Sequence, residues 1–296
     1  MRVGIDLGGH TITAARVSLD DSGRAVIERS AEIETPPGRG VSDVLGAVAG
    51  LVDGLSTGRE TGVGLAVPGM LDALRRHAGV MPNFPKEWRR LDIPDALCRA
   101  LADRGLSLPV RIENDANCYA LGEGAAGEAV GLSSYVVFTM GTGIGSGVVV
   151  GGKLVTGAHG LAGEGGHVVV GSGAICGCGG IGHAETLAAA DGTTKRALAE
   201  GLPGDFRDLW AMRGDPAADR VLDVTIDGMA RAVATVCHLL DPEAIIIGGG
   251  MSRAPGIAPA IKEATMPYLG LPYRETLDLR VSSLGNDAAL YGAAQI

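Results

Sequence analysis

Twice in this chain a short β-rich run breaks on a glycine-rich turn and resumes as β, and the two breaks stand about 130 residues apart. The first run, residues 2–7, ends in Asp6-Leu7-Gly8-Gly9-His10-Thr11 and resumes over residues 12–19. The second, residues 134–140, enters Gly141-Thr142-Gly143-Ile144-Gly145-Ser146-Gly147 and resumes at residues 148–150. A unit repeated at the head of each half implies a duplicated, two-lobed α/β architecture with a glycine turn on each lobe, flanking a cleft. Such turns can aim backbone N–H groups and a hydroxyl at phosphate oxygens while a carboxylate holds Mg²⁺ or its water shell. A Gly-Gly hairpin also closes on itself without any ligand, so the turns alone leave both readings open.

Composition narrows the partners. Glycine occurs 48 times in 296 residues, about twice average usage, as expected where backbone must come close to a ligand. A formal net charge of −9 and only 3% aromatic residues argue against a nucleic-acid partner, which needs a basic surface and stacking rings. No apolar run approaches the ~18 residues of a membrane span, and the first residues do not read as a signal peptide. A cytoplasmic protein without a membrane partner is expected. Five cysteines, three of them scattered singly at Cys98, Cys118 and Cys237, suit a reducing compartment better than a disulfide framework.

Along the first half, residues 24–33 read as a third strand and residues 41–55 as a helix, with apolar positions at helical spacing. A buried strand over residues 62–67 stops at Pro68-Gly69. Asn83, with a proline on either side at Pro82 and Pro85, is stiffened enough to present its amide to a hydroxylated ligand or to satisfy its own turn. A helix over residues 93–104 and a strand over residues 109–112 follow. They lead to Glu113-Asn114-Asp115-Ala116-Asn117, where a carboxylate either caps the next helix or takes a proton from an attacking hydroxyl.

In the second half two nucleotide motifs fail. A dinucleotide fingerprint needs Gly at 141, 143 and 146, but residue 146 is Ser and a strand follows. A Walker A loop ending at Lys153 has a β-branched spacer, and Leu154 replaces its Ser/Thr. A helical block over residues 184–240 precedes a buried strand opening on Gly248-Gly249-Gly250, which leaves room for a flat base or ribose, or for a crowded chain crossing. A strand over residues 277–282 and a helix over residues 287–295 end the chain.

Residues 164–185 concentrate the metal-capable side chains. His167, Cys176, Cys178 and His183 supply four donors that suit tetrahedral Zn²⁺, and the intervening glycines allow tight turns. This reads as a structural zinc loop bordered by two ligand-binding carboxylates, Glu164 and Glu185. With four protein donors no open position remains for a hydrolytic water, which disfavours a zinc hydrolase.

Asp6-Leu7-Gly8-Gly9, the Glu113 to Asn117 motif, Gly141 to Gly145, Glu164-Gly165-Gly166-His167, Cys176-Gly177-Cys178 and Ile247 to Gly250 occur in one order. In that order they resemble the ROK proteins, the sugar kinases and sugar-responsive repressors of the actin-like ATPase (ribonuclease H-like) fold. The resemblance covers essentially the whole chain. It implies a small lobe of residues 1–117 completed by residues 286–296, and a large lobe of residues 118–285.

It further implies ATP-dependent phosphorylation of a hexose, glucose at its 6-hydroxyl or an N-acylhexosamine, by a cytoplasmic homodimer. Asp115 would be the base, and Asp6 would lie near Mg²⁺. Gly8, Gly9, Thr11, Thr142 and Gly143 would meet the phosphates, with Gly248, Gly249 and Gly250 beside the adenosine. Gly69, Asn83, Asn114, Glu164, His167 and Glu185 would meet the sugar. His167, Cys176, Cys178 and His183 would hold the structural Zn²⁺. Two positions depart from the family pattern: His10 stands where Thr is usual, and His183 where the third zinc Cys is usual. The family's repressors resemble this chain with an added N-terminal helix-turn-helix. With a strand expected from residue 2, a sensor would have to act through a partner.

Overall fold

The computed structural model describes residues 1–171 and 173–296. Strands β1 (Arg2–Leu7), β2 (Thr11–Leu19) and β3 (Ala25–Glu34) precede helix α1 (Val41–Leu55). Then come β4 (Val63–Val67), the short pair β5 (Met70–Leu71) and β6 (Ala78–Val80), α2 (Ile93–Ala102), β7 (Val110–Asn114) and α3 (Asp115–Ala126). Strands β8 (Tyr135–Met140), β9 (Ile144–Val150) and β10 (Lys153–Leu154) are followed by α4 (Ala184–Ala188), α5 (Ala190–Ala199), α6 (Phe206–Ala211) and α7 (Pro216–Leu240). The chain closes with β11 (Ala244–Gly248), α8 (Ile257–Thr265), α9 (Leu271–Thr276), β12 (Leu279–Val281) and α10 (Asp287–Ala293).

Two compact units result. The first holds Met1–Gly131, Leu154–Gly163 and Asn286–Ile296; the second holds Leu132–Lys153 and Glu164–Gly285. Each is built on a five-stranded sheet, ordered β3-β2-β1-β4-β7 in the first unit and β10-β9-β8-β11-β12 in the second. In both, an antiparallel hairpin, β1 with β2 or β8 with β9, is extended by parallel strands on its other side. The repeated hairpin seen in sequence thus occupies the same central place in two like sheets.

In the first unit α1 buries Val44, Leu45, Val48, Val52 and Leu55 in the same core as Val3, Ile5 and Leu7 of β1. Each such side chain contributes about 1.5–3 kcal/mol by leaving water. Helix α10 returns to this unit through backbone contact that only glycine permits. A Cβ at Gly292 would lie 1.6 Å from the Cys118 carbonyl oxygen, and one at Gly64 would lie 1.7 Å from that of Ala293. In the second unit α7 starts where Asp215 accepts from the Ala217 and Ala218 amides and Pro216 takes the first turn. It stops at Asp241 in the left-handed region. No helix among the described residues is long and apolar enough to cross a membrane.

One local expectation changes. Strand β9 begins at Ile144 instead of residue 148, so Gly145, Ser146 and Gly147 pair with Thr139, Phe138 and Val137, and only residues 141–143 turn. Small residues are needed there because the 165–167 segment packs closely: a Cβ at Gly165 would come 2.7 Å from Phe138 and 2.8 Å from Ser146 Oγ. After Gly69 the chain forms the short β5–β6 hairpin.

Candidate active site

In the first unit the β1–β2 turn is held by its carbonyls. The Gly8 amide donates to Thr11 O at 2.9 Å, Thr35 Oγ1 donates to Gly8 O at 2.7 Å, and Arg39 Nε donates to Gly9 O at 2.7 Å. The Thr35 amide takes the His10 carbonyl at 2.8 Å. The turn's acceptors are therefore occupied by the protein's own donors, which suits a turn whose amides serve an anion. His10 and Thr11 are both exposed. Gly9 faces Asn83 closely, since a Cβ at Gly9 would stand 3.2 Å from Asn83 Cβ. Asn83 itself has φ 67, a left-handed conformation that Asn tolerates better than most residues.

Asp6 is the penultimate residue of β1 and Asp115 begins α3. Burial, and after it the charge of Asp115, pushes the Asp6 carboxyl up to about 7. The helix cap falls to Asn114, whose Oδ1 accepts from the Asn117 amide at 3.0 Å. Asn114 Nδ2 donates to Asp115 Oδ1 at 2.9 Å and to Gly69 O at 3.0 Å, and the Ala116 amide donates to the same Asp115 oxygen at 2.8 Å. Gly69 is required by its φ of 92 and by a Val80 carbonyl that would lie 1.9 Å from any Cβ.

Beneath this junction lies a residue pair that sequence reasoning missed. Glu113, 5% exposed, accepts from the Asn114 amide at 2.9 Å and from Asn117 Nδ2 at 3.0 Å, while Arg75 Nε donates to its other oxygen at 2.8 Å. The signal for Glu113 was its place in the motif. For Arg75 there was none, because the β5–β6 hairpin alone carries it there.

In the second unit the 141–143 turn is closed by the Gly141 amide donating to Gly143 O at 3.0 Å. Glu185 Oε2 accepts from the Ile144 amide at 3.0 Å, and a Cβ at Gly143 would lie 2.5 Å from that oxygen. Thr142 is exposed beside it. Glu185 Oε1 in turn accepts from Cys176 Sγ at 3.2 Å. Glu164 is half-buried, and burial raises its carboxyl, with Glu185 adding to the shift and His167 opposing it. One glycine turn, two carboxylates and the Cys/His group therefore form a single assembly.

The donor atoms of His167, Cys176, Cys178 and His183 all lie within 4.8 Å of one another. Cys178 Sγ is 3.3 Å from His183 Nδ1, and Cys176 Sγ is 3.7 Å from His167 Nδ1. Tetrahedral zinc with ordinary Zn–N and Zn–S bonds separates its donors by roughly 3.3–3.8 Å, so the four donor types suit the ion and these two pairs already stand at its spacing. Room for an imidazole at residue 183 comes from Gly180, where a Cβ would lie 2.3 Å from the His183 ring.

The triple-glycine turn separates into unlike parts. Gly248 ends β11 and pairs with Thr139; Gly249 has φ 85 and a Cβ there would meet the Met140 carbonyl at 2.5 Å; nothing lies within 4 Å of one at Gly250. A crowded crossing accounts for Gly249, and Gly250 faces open space.

The ROK family pattern matches residues 2–296 of the chain. A glucokinase from Thermotoga maritima is 36% identical over 315 residues, spanning 99% of this chain and 96% of that protein. An N-acetylmannosamine kinase from Shigella boydii serotype 18 is 31% identical over 299 residues, spanning 98% of this chain and 96% of its own. A solved ROK family glucokinase from Streptomyces griseus, in complex with glucose and AMPPNP, superposes with a TM-score of 0.81 at 29% identity. The match covers 99% of this chain and 98% of that one.

Proposed function

The chain belongs to the ROK family and is a sugar kinase, and on that premise we propose that it transfers the γ-phosphate of ATP to the 6-hydroxyl of glucose. The observation that carries the reading is Asp115, a carboxylate at the end of a parallel strand whose Oδ1 is anchored by Asn114 Nδ2 and the Ala116 amide. Held this way, it would take the proton from the sugar oxygen as that oxygen bonds to phosphorus and the bond from phosphorus to the ADP oxygen breaks.

The remaining groups position and neutralise. Amides of Gly9 and Gly143, with Thr11 and Thr142, would meet phosphate oxygens beside Gly8, whose own amide closes the turn on Thr11 O, and Gly248 to Gly250 would border the adenosine. Gly69, Asn83, Asn114, Glu164, His167 and Glu185 would meet sugar hydroxyls. Mg²⁺ near Asp6 would offset the phosphate charge, and its approach favours the ionised carboxylate that burial otherwise opposes. Zinc on His167, Cys176, Cys178 and His183 would order the segment that carries Glu164 and Glu185.

A second reading, an N-acylhexosamine as acceptor, is supported by the 31% identity to the N-acetylmannosamine kinase. One experiment separates the two. ADP release is measured with ATP and Mg²⁺ against glucose, mannose, fructose, allose, N-acetylglucosamine and N-acetylmannosamine, with Asp115→Asn as control. Turnover on glucose that Asp115→Asn abolishes supports the glucose reading, and turnover confined to an acylamino sugar replaces it. Silence on every sugar, with one of them still raising the melting temperature, would point to a sugar-binding regulator instead.

A further inference from the structure

We infer that Arg75 is a positioning residue for Asp115, acting through the buried carboxylate of Glu113; the inference rests on Asp115 being the base of the kinase. Arg75 occupies the β5–β6 turn at φ 54, a left-handed conformation uncommon for a residue of its kind. From there its guanidinium spreads over three partners. Nε donates to Glu113 Oε2 at 2.8 Å, and Nη1 donates to Asp72 O at 3.0 Å and to Gly160 O at 3.2 Å. The approach to Gly160 depends on glycine, since a Cβ there would lie 2.5 Å from Nη1, and φ is 81. Arg75 thus joins the β5–β6 hairpin, the 154–163 segment that runs into Glu164, and the β7–α3 junction.

Glu113 passes this order on. Its Oε1 accepts from the Asn114 amide and from Asn117 Nδ2, and Asn114 is the residue that both caps α3 and donates to Asp115. The Arg75–Glu113 pair is largely withdrawn from water, with side-chain exposures of 17% and 7%. Removing the guanidinium leaves a buried carboxylate without its cation. Such a group must protonate or move, and either response disturbs the Asn114 and Asn117 donors.

Stability alone is a poor reason for the arrangement. Buried ion pairs replaced by well-packed apolar residues are often neutral or stabilising. This one also leaves Arg75 Nη2 and Asn117 Oδ1 buried without a protein partner, which costs about 1–3 kcal/mol each where no water serves them. What the pair supplies is a fixed direction for the first turn of α3.

The test uses full-length wild type, Arg75→Met, Arg75→Lys, Glu113→Gln and the double variant R75M/E113Q, on the sugar that wild type turns over. Arg75→Met should lower kcat by roughly 10- to 100-fold, the scale of a small misplacement of a reacting group, with the KM for ATP within about twofold. Arg75→Lys, which keeps the charge without the fork, should fall in between. In R75M/E113Q the carboxylate has gone but the Gln oxygen can still accept from Asn114, so kcat should rise above that of Arg75→Met alone. Amide hydrogen exchange over residues 114–118 is followed in parallel, with α7 as an internal reference. It should quicken in Arg75→Met and slow again in the double variant.

An Arg75→Met enzyme with wild-type kcat, or a double variant whose loss is the product of the two single losses, would overturn the inference. Should wild type turn over no sugar, the kinase reading fails separately and exchange alone decides. Quickening confined to residues 114–118 and reversed in the double variant then supports the positioning role, and unchanged exchange refutes it.

Discussion

Glu164 Oε2 stands 3.7 Å from Nε2 of His167, whose other ring nitrogen stands 3.7 Å from Cys176 Sγ. One imidazole therefore links a candidate sugar carboxylate to the metal-ligand group. A ring fixed from one side by a metal presents its other nitrogen in a defined direction. Order in the Cys/His group and order in Glu164 are thus tied.

Loss of a remote metal ligand should accordingly weaken sugar binding. Cys178 Sγ and His183 Nδ1 stand 3.3 Å apart, while the ring that stands beside Glu164 is that of His167. Cys178→Ser or His183→Ala should lower zinc below about one per chain and raise the sugar KM by roughly 10-fold or more, with a smaller change for ATP. Metal content by atomic emission, beside steady-state kinetics, checks this. Full zinc content with an unaltered sugar KM would refute it.

Gly143→Ala tests the contact between the second glycine turn and Glu185. The new methyl would fall 2.5 Å from Glu185 Oε2, so the carboxylate must leave the Ile144 amide. The backbone at Gly143 is not in the left-handed region, so the fold should survive while kcat/KM falls by about 10- to 100-fold. Kinetics alongside circular dichroism would expose the opposite case, a variant that unfolds or one that works normally.

Glu60 should contribute to the pH dependence of stability. Burial disfavours its ionised form, but the Thr57 hydroxyl and the surrounding amide and Ser56 donors outweigh this and bring the carboxyl down from 4.5 to about 2. Its folded value is depressed, so the stabilisation is present above pH ~4.5 and is lost as pH falls toward ~2. Glu60→Gln should cost roughly 1–3 kcal/mol at pH 7, with the difference from wild type shrinking across that window. Urea melts at pH 7, 4 and 3 measure it, and a pH-independent difference would exclude the assignment.

Local order was enough for much of this molecule. The two glycine turns, the strand-to-helix junction at Asp115 and the four metal-capable residues within 164–185 were legible because each is a short stretch whose residue types and spacing carry the chemistry directly. The choice between capping and catalysis at Asn114 and Asp115 stayed open in sequence. The structure assigns the cap to Asn114 by one hydrogen bond.

Contacts between distant segments were not legible. Arg75 reaches Glu113 across 38 positions only because a two-stranded hairpin and a left-handed residue turn it inward. Gly143 meets Glu185, and Gly9 meets Asn83, through packing that no periodicity records. The chain by itself therefore determined which side chains and turns are available, since those depend on residue type and neighbours. Tertiary structure alone decided which carboxylate receives which donor, because hydrogen bonds and ion pairs act over a few ångströms in space, whatever the separation along the chain.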